Sequence, residues 1–117
     1  NDMVYYKNIY KYIVHPQDTV LIGFSEGGQY ALDLAQRFQD IRGVVAISPS
    51  YTEGLVKMSI TCPVVLITSI NEGKIFKKSY KKWKKHIKNL NEINHYKGHK
   101  VYIPLKTRDT IEEQMRI

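Results

Sequence analysis

Between Thr19 and Phe38 the hydrophobic pattern changes period across a cluster of glycines, and few folds accept such a change. Thr19-Val20-Leu21-Ile22 is a short apolar, β-branched run without alternation, as expected of a strand covered on both faces in a parallel sheet. Beyond Gly23, Gly27 and Gly28, the residues Ala31, Leu34, Ala35 and Phe38 recur at i, i+3, i+4 and i+7, which predicts a helix with a small-residue packing face. Strand, sharp turn and helix in that order need glycine, because the two backbones must approach closely.

The same alternation runs through the rest of the chain. Tyr5, Ile9, Tyr12 and Ile13 have helical spacing and predict a helix over residues 3–14, ended by His15-Pro16. Val44–Ile47 after Gly43 and Val64–Thr68 after Pro63 read as two further buried strands. Phe76, Tyr80, Trp83, Ile87 and Leu90 step by 4, 3, 4 and 3, which predicts one amphipathic helix over residues 75–90. Lys77, Lys78, Lys81, Lys82, Lys84, Lys85 and Lys88 fill its other faces, an arrangement expected of a solvated surface. The last strand is either Glu92–Tyr96 or Lys100–Ile103, and Thr107–Met115 reads as a closing helix with Asp109, Glu112 and Glu113 near its start. Helices alternating with buried strands predict an α/β class fold, a parallel sheet flanked by helices, in a single domain over residues 1–117.

Composition narrows the function classes. With 117 residues, 43% hydrophobic and 25% charged, the chain can bury roughly two-thirds of its unfolded surface, which argues against disorder. A net charge of +7 attracts anionic surfaces or substrates without naming one. The lysine-rich segment lacks a nucleic-acid module's signature, so no nucleic-acid partner is expected. No apolar run approaches a membrane span, and the N-terminus lacks a signal-peptide layout. A lone cysteine, Cys62, excludes an intramolecular disulfide and leans toward the cytoplasm. No metal-ligand spacing and no phosphate-binding loop is present, so no metal and no cofactor is expected.

Gly23-Phe24-Ser25-Glu26-Gly27 matches Gly-x-Ser-x-Gly, placed where a strand ends and a helix begins, the context that lifts this short pattern above chance. Val20 to Leu32 resembles the nucleophile elbow of the α/β-hydrolase superfamily, and Gly43 to Pro49 resembles its next strand. Cys62 to Thr68 resembles the strand that precedes the family's acidic triad member, and Tyr96-Lys97-Gly98-His99 resembles the loop that delivers its histidine. The resemblance covers residues 19 to 99 and implies the C-terminal half of the fold, a partial α/β-hydrolase fold without its N-terminal strands. Only 18 residues precede Thr19, so an N-terminal half or a homo-oligomer partner is expected to complete it.

The resemblance implies Ser25 as nucleophile, Glu72 as acid and His99 as base, a Ser-His-Glu triad in the chain order of this fold. Glu72 stands where aspartate is commoner; either carboxylate can fix the histidine tautomer and stabilise the imidazolium. Glu53, after the second strand, is a rival acid, and His95 is a rival base. His15 and His86 are expected at the surface. The backbone N–H of Glu26 is the implied oxyanion donor, with a second donor expected from protein N-terminal to the elbow. Phe24, Tyr51 and Met58 are candidates to line an acyl pocket; Tyr51 and Met58 equally suit plain packing. Residues 48–63 are too few for a helical lid, so an open site is expected, suited to a small acyl substrate such as an ester, thioester or lysolipid. Two function classes follow: a lidless serine esterase, thioesterase or lysophospholipase, or a catalytically inactive hydrolase-like binding domain with a basic surface helix.

Overall fold

Four parallel strands stand in chain order, and their apolar runs align in rows. A computed structural model describes residues 2–55, 58–69, 72–96 and 105–116. It contains α1 (Asp2–Tyr10), β1 (Val20–Phe24), α2 (Glu26–Arg37), β2 (Gly43–Ile47), β3 (Ile60–Ser69), α3 (Lys74–Lys84), β4 (Ile87–Tyr96) and α4 (Leu105–Gln114). The sheet order is β1-β2-β3-β4, every pairing parallel.

The pairing puts Leu21, Val44, Val64 and Leu90 side by side, and likewise Phe24, Ile47, Ile67 and Ile93. Successive strand residues face opposite sides, so the two rows feed two cores. The first packs with Leu32 and Ala35 of α2 and with Tyr80 and Trp83 of α3; the second packs with Ile111 of α4 and Met115 just beyond it. Helices therefore cover both faces, which is why β2 shows no alternation and all five of its residues are buried. Each of the large enclosed side chains, Trp83 and Leu66 among them, contributes about 1.5–3 kcal/mol by leaving water.

Two expectations are corrected. The helix predicted over residues 75–90 ends at Lys84, and Ile87 and Leu90 belong to β4, where they pair with Ile60 and Val64. Their spacing suits a helix face, but the free edge of β3 supplies backbone partners, and tertiary pairing overrides local pattern. The first helix stops at Tyr10 instead of residue 14, and its inward residue is Tyr6, with Tyr5, Ile9 and Tyr12 exposed. The C-terminal end of α2 sets that orientation: Arg37 lies 5.0 Å over the Tyr6 ring, and Phe38 stacks on Tyr10 at 4.1 Å. Of the two alternatives for the final strand, Glu92–Tyr96 lies in β4, while Lys100–Ile103 falls outside the described residues. Among the described residues no helix is long and apolar enough to cross a membrane.

Candidate active site

The link from β1 to α2 consists of one residue, Ser25. Its backbone lies at φ 57° and ψ −115°, a region that side-chain-bearing residues rarely enter and that costs on the order of 1–3 kcal/mol. Hydrogen bonds hold it there. The Ser25 N–H donates to the Ile47 carbonyl at 2.8 Å, and the Ser25 carbonyl accepts from the N–H of Ser50 at 3.1 Å and of Gln29 at 3.2 Å. The turn is tight enough that a β-carbon on Gly23 would meet the Gly27 carbonyl oxygen at 2.1 Å. The side chain of Ser25 is half-buried, and Glu26 opens α2. An N–H at the first position of a helix has no intrahelical acceptor, so the Glu26 amide points its dipole out of the helix N-terminus beside the serine.

Glu72 lies three residues past Ser69, the end of β3, and only 5% of it is exposed. Its Oε1 accepts a hydrogen bond from the hydroxyl of Ser48, which follows β2 directly. Ser25, Ser48 and Glu72 thus follow the C-terminal ends of three adjacent parallel strands, the edge where ligands bind in open α/β sheets. Ser48 is the residue that sequence reasoning missed. Its role arises from contact between two loops, and the only local signal is its place at the end of a buried strand.

The other candidates are placed as follows. Glu53 is 81% exposed and forms an ion pair with Lys82. His95 occupies β4 where Thr68 pairs with Asn94 but Ser69 pairs with Tyr96, so it is the extra residue of a bulge. His99 lies outside the described residues. Phe24 directly precedes Ser25 and packs into the core on the α4 face. Tyr51 packs edge-on against Trp83 at 5.4 Å, with Lys82 5.1 Å over its ring. Met58 is exposed, and its N–H donates to Gln36, eleven residues along from Ser25, or about 16 Å along a helix axis.

Ser50 joins the elbow to α3. Its N–H reaches Ser25, its carbonyl accepts from Trp83 Nε1 at 2.7 Å, and its hydroxyl donates to Gln29 at 3.0 Å. A cavity of about 450 Å³ opens between α1, α2 and the loop after β2, lined by Tyr5, Tyr30, Asp33 and Leu55 among others. Ser25 is not among the residues that line it.

No protein-family model matches the chain, and no curated protein matches it. Solved structures do. A predicted CIB-like hydrolase from Thermoplasma acidophilum superposes with a TM-score of 0.72 at 21% identity, covering 94% of this chain and 57% of that one. The carboxylesterase of Bacillus cereus gives 0.69 at 16% identity, over 93% and 54%. The α/β hydrolase MGS-MChE2, from a sediment metagenome of the Mar Chica lagoon in Morocco, gives 0.71 at 15% identity, over 93% and 65%. The chain therefore has an α/β-hydrolase-like fold, in partial form, and spans somewhat over half the length of these structures.

Proposed function

We propose that this protein is a serine hydrolase that cleaves a carboxylic ester or thioester through an acyl-enzyme, with Ser25 as nucleophile, His99 as base and Glu72 as acid. The observation that carries the reading is the backbone of Ser25: a strained, half-buried serine between a strand and a helix, on the same sheet edge as a buried carboxylate. Strain of that kind persists where surrounding structure over-determines it, and it exposes the hydroxyl. Burial favours Glu72 over the solvated Glu53 as the acid. The described chain leaves β4 at Tyr96, level with Ser69, three residues before His99 in the sequence.

In the reaction the Ser25 oxygen attacks the acyl carbon while the imidazole takes its proton, with Glu72 stabilising the imidazolium. The Glu26 N–H donates to the oxyanion. Collapse expels the alcohol or thiol, which takes the proton from the imidazolium, and water then repeats the sequence to release the acid. Esterases among the similar structures favour an ester substrate. A fluorophosphonate probe tests the reading on the complete natural polypeptide. An adduct on Ser25, lost in Ser25→Ala and slowed in His99→Ala, is expected. Failure to label would favour a hydrolase-like binding domain, for which the exposed lysines of α3 supply a basic face.

A further inference from the structure

Among the described residues, two that are not glycine have positive φ, and both are serines: Ser25 at 57° and Ser48 at 45°. They follow neighbouring strands, and each donates its N–H to the strand alongside, Ser25 to Ile47 and Ser48 to Ile67, both at 2.8 Å. The same backbone device thus appears twice, one strand apart. Their environments differ. Ser25 is half-buried, whereas Ser48 is 0% exposed and spends its hydroxyl on Glu72. A buried serine has no route to a substrate, so its strained backbone serves an internal partner.

We propose that Ser48 is a positioning residue, its hydroxyl fixing one carboxylate oxygen of Glu72 so that the carboxylate faces the triad histidine in a single orientation. This rests on the triad reading above. Glutamate has one more rotatable bond than aspartate, and the segment that carries Glu72 is a loop, so backbone placement alone orients the carboxylate weakly. A hydrogen bond from a group locked at the end of β2 supplies the missing constraint. It also ties the acid to the strand next to β1, which carries the nucleophile, so the two ends of the relay share one frame.

The test compares Ser48→Gly and Ser48→Ala in the complete natural polypeptide, in the natural background and in Glu72→Ala. Glycine accepts φ 45° freely, so Ser48→Gly removes the hydroxyl while keeping the backbone, and circular dichroism checks its fold. With p-nitrophenyl acetate as substrate, kcat falls about 10- to 100-fold in Ser48→Gly with KM little changed. In the Glu72→Ala background the same change costs less than about twofold, because the group it acts through is gone. Equal losses in both backgrounds would mark Ser48 as merely structural and overturn the proposal, as would a folded Ser48→Gly with natural kcat. A natural protein that neither labels at Ser25 nor hydrolyses the ester overturns the triad reading and this inference together. One that labels at Ser25 yet ignores Ser48→Gly overturns this inference alone.

Discussion

Gly23 and Gly27 face each other across the elbow so closely that a β-carbon on Gly23 would stand 2.1 Å from the Gly27 carbonyl oxygen, while one on Gly27 meets nothing within 4 Å. The two glycines of the motif are therefore unequal. Gly23→Ala forces the strand and helix apart and is expected to abolish fluorophosphonate labelling. Gly27→Ala adds a better helix former inside α2 and is expected to raise stability by about 0.5–1 kcal/mol in urea denaturation, with labelling retained.

In the proposed triad, Glu72→Gln keeps the shape of the acid and removes its charge, which takes the stabiliser from the imidazolium. The rate of ester hydrolysis is expected to fall by about 10²–10⁴-fold. Glu53→Gln removes only a solvated partner of Lys82, where a surface ion pair contributes about 0–1 kcal/mol, and should leave the rate within about twofold. The reverse ranking of the two variants would transfer the acid role to Glu53.

Trp83 is the one tryptophan of the sequence and is wholly enclosed, with Nε1 bound to the Ser50 carbonyl at 2.7 Å. Trp83→Phe fills most of the space but leaves that carbonyl without this donor, at a cost of about 1–3 kcal/mol. Since Ser50 in turn binds Ser25, the variant should also slow labelling of the serine. Thermal melts followed by circular dichroism and labelling time courses check the two effects separately.

Burial in β3 pushes the Cys62 thiol up from 9.0 to about 11. The unfolded chain therefore loses this proton first as pH rises, and folding stability drops between pH 9 and 11. The contribution is fully present below pH 9, and the loss reaches about 2 kcal/mol by pH 11. Urea denaturation of the natural protein and of Cys62→Ala at pH 8 and pH 10.5 should show the larger pH-dependent loss in the natural protein. At pH 8 a disulfide reagent should react with Cys62 only as fast as the protein opens.

The legible parts of this fold were those written locally. A buried parallel strand shows as an unbroken apolar run, so β1, β2 and most of β3 could be read from Val20–Ile22, Val44–Ile47 and Val64–Thr68. The elbow could be read because its glycine spacing is a condition on five consecutive residues. The α3–β4 boundary could not, since Ile87 and Leu90 suit a helix face and only pairing with Ile60 and Val64 decides against it. The contact of Ser48 with Glu72 joins loops 24 residues apart and leaves no pattern in either. Glu72 was visible as a carboxylate three residues past its strand, but its burial and its contact with the Ser48 hydroxyl arise only in the fold.

Two hydrogen bonds that bracket Ser25 from outside its own helix come from residues 47–50. Ser25 inherits its place from β2, as one more rung added beyond the ladder's end. A change in β2 is thereby felt at Ser25, even though the two lie in separate stretches of sequence.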